Sequence, residues 1–279
     1  MIILTVRTFS LLSNEYATEG IRSMITAQIE VSGLAKRIGD VEAVRDVTFV
    51  AAPGRVTGFL GPNGAGKSTT LRMLLGLARL DSGTALIGGR RYAELPDPTG
   101  TVGAVLDLAG AHPAMTARGH LRAYCALGGH DAGRVEAVAE LTGMSEYLDR
   151  RVGGFSTGMR QRLSLATALL GDPAALVLDE PSNGLDPAGI VWLRTFLREF
   201  AAKGGTVLIS SHVLTELQHG IDDLVLIDRG RTTWSGPLDA FTARGTSLEE
   251  AFLELTSGVE SSPVPNANAN ANATEGTRA

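Results

Sequence analysis

Short apolar runs alternate along this chain with longer stretches whose apolar residues recur at helical spacing. The runs at residues 56–60, 176–178, 207–210 and 224–227 carry almost no polar alternation, the pattern of strands covered on both faces of a parallel sheet. Residues 28–31, 47–50, 84–87 and 102–106 supply four further strand-like segments. Helical periodicity covers 67–77, 117–127, 134–142, 158–170, 187–202 and 248–255. This order predicts an α/β fold, with polar chemistry collecting at the carboxyl ends of the parallel strands. Between about residues 109 and 171 the strand pattern stops and helices take over.

One strand-to-helix junction carries a specific chemistry. Gly61-Pro62-Asn63-Gly64-Ala65-Gly66-Lys67-Ser68-Thr69 has the spacing of a phosphate-binding loop, the Walker A motif, with an apolar strand before it and a helix-favouring run after it. Glycines let the backbone close around phosphate oxygens where a Cβ would block the turn or the approach. The loop N–H groups and the positive end of the helix then favour the anion. Lys67 can reach the β- and γ-phosphates of a nucleotide, and the Ser68 hydroxyl can ligate Mg²⁺.

Four further segments, taken in order, narrow the class. Phe155-Ser156-Thr157-Gly158-Met159-Arg160-Gln161-Arg162-Leu163 closely precedes the apolar run Ala175-Leu176-Val177-Leu178 ending in Asp179-Glu180-Pro181. Ser182-Asn183-Gly184-Leu185-Asp186 follows at once, and Ser210-Ser211-His212 closes a later strand. Over about residues 27 to 256 the chain resembles the ATP-binding subunits of ABC transporters. The resemblance makes these segments the signature sequence, the Walker B strand with its catalytic glutamate, the D-loop and the switch histidine. It implies a P-loop NTPase fold with a mainly parallel core sheet, an antiparallel β portion and an inserted α-helical subdomain at about 109–171. The ATP-binding domain then spans 27–258.

Position and resemblance together assign roles. Asp179, ending an apolar strand, would hold Mg²⁺ through water, and Glu180 would polarise the attacking water; a carboxylate pair serving as a helix cap is the structural alternative. His212 would contact the γ-phosphate. By resemblance, Ser156 and Gly158 serve the ATP of a partner subunit, so hydrolysis needs a head-to-tail dimer, homo- or heteromeric, with Asp186 at its seam. Three departures from the family pattern stand out. Ile38, in Lys36-Arg37-Ile38-Gly39-Asp40, takes the place of the aromatic that stacks on adenine, giving apolar contact without π-stacking. Asp107 takes the place of the Q-loop glutamine and can bind Mg²⁺ or water but lacks the amide donor. Thr157 and Met159 replace a glycine and a glutamine of the signature. The acidic Q-loop with a Phe-Ser-Thr-Gly-Met signature resembles subunits of bacterial drug- and bacteriocin-efflux exporters.

Composition sets the bounds. Thirty acidic against 25 basic residues give a net charge of −5, with no overall basic field for nucleic acid. The single cysteine, Cys125, excludes an internal disulfide and fits a reducing compartment. It lies in an apolar helical run and reads as a small core residue. His112, His120, His130 and His219 lack metal-ligand spacing and read as surface or structural residues. No apolar run reaches the roughly 18 residues of a membrane span. The expectation is an ATPase with ATP and Mg²⁺ as cofactors, cytoplasmic and peripheral on the inner face of the membrane. Its membrane contact runs only through a separate integral-membrane permease that exports a drug, peptide or lipid-like substrate. The rival reading is an ABC-type ATPase in immunity, sensing or another non-transport role. Residues 1–26 read as an extension outside the domain, with Met24 a candidate start. The Asn/Ala-alternating tail, 259–279, has too little apolar bulk to offset ordering entropy and reads as disordered.

Overall fold

Strand β3 (Val56–Leu60) is buried at every position, because helices cover both faces of the sheet that contains it. In the computed structural model, which describes residues 27–106, 110–213 and 220–243, nine strands form one sheet. They are β1 (Ile29–Ile38), β2 (Val41–Ala51), β3, β4 (Ser82–Ile87), β5 (Val102–Val105), β6 (Ala175–Asp179), β7 (Thr206–Ser211), β8 (Asp223–Asp228) and β9 (Arg231–Pro237). Their order is β4-β1-β2-β9-β8-β3-β7-β6-β5. From β8 to β5 all neighbours run parallel. At the other end β1 pairs antiparallel with β2 and β4, and β8 with β9. The expected extension 1–26, helix 248–255, tail 259–279, Asp107 and His219 lie outside the described residues.

The continuous apolar runs split by alternation between two cores. Val56 and Leu60 of β3, with Leu176 and Leu178 of β6, face one cluster, while Phe59, Ala175 and Val177 face the other. Helix α1 (Lys67–Leu74) covers the second face with Leu71 and Leu74. It stops short of the expected residue 77 because Gly76 turns the chain at φ +70°, the left-handed closure that ends many helices. A four-residue helix α2 (Pro98–Thr101), capped by Asp97, is too short to show periodicity. Helices α3 (Ala117–Gly128), α4 (Arg134–Leu141) and α5 (Thr157–Ala168) lie between β5 and β6 in the chain. Their buried Leu121, Val135 and Leu163 join the first cluster with Val105 and Leu178. Helix α6 (Pro187–Ala202) adds Leu193 and Leu197 to the same face.

One imidazole lies deep among the inserted helices. His120 on α3 is only 4% exposed, and its Nε2 lies 3.1 Å from the Thr167 hydroxyl of α5. That hydroxyl donates to the Leu163 carbonyl at 2.8 Å, so it must accept from His120, which fixes the Nε2–H tautomer. Burial pushes the imidazole pKa below its ordinary value. The unfolded chain takes up the proton near pH ~6.5 while the folded one does not, so stability falls as the pH drops through and below that value. His120→Gln, which keeps a donor toward Thr167 but cannot titrate, should flatten this part of the dependence. Urea unfolding of both proteins from about pH 7.5 down to about pH 5.5 checks it: the stability loss should be smaller in the variant.

Candidate nucleotide site

The loop between β3 and α1 is pressed onto two strands. A Cβ on Gly61 would stand 2.2 Å from the Ile227 carbonyl of β8. Gly66 has φ +105°, and a Cβ there would meet the Ala43 carbonyl of β2 at 2.6 Å. Only glycine fits either place. Ala65 is tied in by Gly230 N–H, which donates to its carbonyl at 2.9 Å. Pro62, Asn63 and Gly64 form the outer turn, with Gly64 at φ +81°.

The helix that follows presents unclaimed donors. Gly66 caps α1 with no side-chain hydrogen bond, and the first turn holds no acidic residue. By contrast, Thr116, Ser156 and Asp186 cap α3, α5 and α6 with their own oxygens. The first-turn N–H groups of α1 thus lack a side-chain acceptor, which fits a phosphate. Ser68 and Thr69 stand half-buried in that turn, while Thr70 donates its hydroxyl to Gly66 O at 2.9 Å. Lys67, 6% exposed, donates to Gly61 O at 2.7 Å, with Pro62 O at 3.4 Å. Its Nζ also lies 3.4 Å from Glu180 Oε1.

Neighbouring strand ends supply the acids. Asp179, the last residue of β6, pairs in parallel register with Ser210 of β7. The fully buried Ser210 hydroxyl donates to Asp179 Oδ1 and accepts from Glu180 N–H at 3.0 Å. Glu180 sits at φ +50°, a left-handed conformation that costs a non-glycine residue about 1–3 kcal/mol. Its Oε2 accepts from His212 Nδ1 at 2.7 Å and from His212 N–H at 3.3 Å. Neither acid caps a helix; that role falls to Asp186, which accepts from Gly189 N–H at 2.7 Å at the start of α6. Among the described residues no three His, Cys, Asp or Glu side chains could hold a metal by themselves. A divalent ion here would depend on hydroxyl and phosphate oxygens as well, the ligand set typical of Mg²⁺ at nucleotides.

Lys67, Asp179, Glu180 and His212 therefore converge, whereas Ser156, Gly158 and Asp186 form a second group. Ser156 caps α5 by accepting from Met159 N–H at 3.2 Å. A Cβ on Gly158 would touch Leu185 at 3.5 Å, and one on Gly184 would strike the Thr157 methyl at 2.4 Å. The threonine in the signature thus occupies room left by a glycine in the following loop. Ile38, 56% exposed, pairs with Val41, 66% exposed, in the β1–β2 hairpin. The same β2 reaches the phosphate loop at Ala43. In the sequence Ser210 reads only as the first residue of the Ser210-Ser211-His212 segment that closes an apolar strand. Only its register beside Asp179 reveals the contact.

Comparison with known proteins agrees with this geometry. The family model described as ABC transporter matches residues 44–183. A bacitracin transport ATP-binding protein of Bacillus licheniformis is 36% identical over 228 residues, 81% of this chain and 74% of that protein. An ABC transporter ATP-binding protein, NatA, of Bacillus subtilis is 35% identical, covering 78% of this chain and 93% of its own length. A Nod factor export ATP-binding protein of Burkholderia orbicola is 39% identical over 76% of this chain and 72% of its own. Among solved structures, an ATP-binding subunit of an ABC transporter superposes with TM-score 0.73 at 31% identity, covering 81% of this chain and 98% of that one. The chain belongs to the ATP-binding subunits of ABC transporters.

Proposed function

We propose that this chain is the ATP-hydrolysing subunit of an export system and that Glu180 polarises the water that attacks the γ-phosphate. The observation that carries this reading is the placement of Glu180, with one oxygen 3.4 Å from Lys67 Nζ and the other 2.7 Å from His212 Nδ1. A carboxylate fixed between the phosphate-loop lysine and a histidine is suited to orient a water toward a γ-phosphate held by that lysine. Gly61 to Thr69 cradle the phosphates through backbone N–H groups, and Lys67 transfers its donors to them. Ser68 and Asp179 are the residues that would hold Mg²⁺, which would supply charge neutralisation to the triphosphate. Glu180 accepts the water's proton, and His212 keeps the carboxylate turned toward it.

Ser156, Gly158 and Asp186 serve the second nucleotide face in a head-to-tail dimer, homo- or heteromeric, which closes on ATP and reopens on hydrolysis. Among the described residues no helix is long and apolar enough to cross a membrane. The translocation path in this reading belongs to a separate permease, with the subunit at the cytoplasmic face. Two relatives are named for bacitracin transport and for Nod factor export, which favours export of a drug, peptide or lipid-like molecule over a sensory role.

Two measurements test the site. Glu180→Gln should bind ATP as the parent does while hydrolysis falls by roughly a hundredfold to ten-thousandfold, and a closed dimer should accumulate. Turnover assays and size-exclusion chromatography with ATP and Mg²⁺ check both, and parental turnover in the variant would remove Glu180 as the base.

The exposed Ile38 yields the second. A ring–base stack is worth about 1–3 kcal/mol in nucleic-acid sites. Ile38→Tyr should accordingly tighten ATP binding by up to roughly tenfold and leave inorganic triphosphate binding little changed. Titration of both proteins with ATP and GTP decides it. Unchanged ATP affinity in the variant, with strong preference for ATP over GTP in the parent, would mean that the base is held elsewhere.

A further inference from the structure

We infer that Ser210 is a positioning residue for hydrolysis, using one hydroxyl to set both the metal-side carboxylate of Asp179 and the backbone of Glu180. The inference rests on the roles assigned to those two acids above.

The hydroxyl has a single proton, and it goes to Asp179 Oδ1. The remaining lone pairs face Glu180 N–H at 3.0 Å. Parallel register places Asp179 and Ser210 side by side, so both side chains leave the sheet on one face. Ser210 is fully buried while Asp179 and Glu180 are half-buried, so the hydroxyl meets both groups from their enclosed side. Glu180 lies one residue past the end of β6 and takes φ +50°. The hydroxyl is the acceptor that meets its N–H there. Two residues further along, His212 holds the Glu180 carboxylate. The end of β7 therefore grips Glu180 twice, Ser210 at the main chain and His212 at the side chain. Asp179, with Oδ1 engaged by Ser210, is left to offer Oδ2 toward a cation.

Removing the hydroxyl would free Asp179 to rotate and Glu180 to relax toward negative φ, while the phosphate loop stayed intact. Such outer partners of metal-side carboxylates typically govern affinity or activity by about 10–100-fold. A merely space-filling serine would do neither. Thr206, at the start of the same strand, is a matched control: it is fully buried, its hydroxyl has no partner among the described residues, and it lies far along β7 from the acids.

The test uses the full chain carrying Ser210→Ala, Ser210→Cys or Thr206→Ala. Turnover is measured beside equilibrium binding of a non-hydrolysable ATP analogue, titrated with Mg²⁺ and repeated in EDTA. For Ser210→Ala we expect kcat at least about tenfold lower and the Mg²⁺ concentration for half-maximal analogue binding raised at least about threefold. Affinity in EDTA should stay within about twofold of the parent. Ser210→Cys, which keeps the volume but donates weakly, should shift both quantities in the same direction by less. Thr206→Ala should leave them unchanged. Parental kcat and Mg²⁺ dependence in a folded Ser210 variant, or an equal loss in Thr206→Ala, would overturn the inference. Retained turnover in Glu180→Gln would instead overturn the assignment of the base, while the Mg²⁺ shift in Ser210→Ala would still report the contact with Asp179.

Discussion

Burial of the central strands on both faces is the constraint from which the site follows. β3 is buried at all five positions and β7 at all six, so charged side chains have no place along their length. Polar chemistry can appear only where a strand stops. Because β3, β6 and β7 run parallel, their carboxyl ends lie together. The phosphate loop leaves β3, Asp179 and Glu180 leave β6, and Ser210 to His212 end β7. Three loops distant in sequence thus meet at one edge without any residue being chosen for long-range contact.

The same burial makes the site electrostatically demanding. Lys67 is almost fully enclosed, and an ammonium there requires oxygen partners. It has them in Gly61 O and Glu180 Oε1, both groups that belong to the nucleotide edge. Glu180 in turn holds an unfavourable backbone conformation, stabilised by Ser210 behind it and His212 beside it. Strain kept in place by several independent contacts is typical of residues that must act from one fixed position. The charges are mutually satisfied yet replaceable, since phosphate oxygens offer Lys67 the same partners as the loop carbonyls do.

How much of this was legible from sequence depends on how local each signal was. Val56–Leu60 and Pro187–Ala202 coincide with their expected spans, one an uninterrupted apolar run, the other opened by an Asp cap and Pro at the first turn. β1 and β2 extend far beyond 28–31 and 47–50. Register shifts after Val31 and Leu34 break the alternation that marks a strand, and residues 37–42 at the hairpin tip are exposed. β9 leaves no strand signal in the sequence because Arg231-Thr232-Thr233-Trp234-Ser235-Gly236-Pro237 has a single large apolar residue; pairing with β8 makes it a strand. At the site, Lys67, Glu180 and His212 were readable because each sits in an ordered motif. Ser210 was not, since its role depends on which residue lies opposite it on another strand, a fact of register rather than composition.

The two groups of site residues also differ in how their helices begin, and this bears on the proposed dimer. α1 leaves its first-turn donors without a side-chain acceptor, so a phosphate would meet unclaimed N–H groups there. α5 is closed by Ser156, whose hydroxyl already accepts from Met159 N–H in an exposed position. An exposed cap of this kind can yield to a stronger acceptor, because a phosphate oxygen at a helix N-terminus gains both the N–H and the dipole. The start of α5 is also keyed to the following loop, where the Thr157 methyl fills the room at Gly184 and Leu185 lies against Gly158. In the head-to-tail arrangement proposed here, the exposed Ser156 cap and the neighbouring loop at 182–186 would face the partner's nucleotide together.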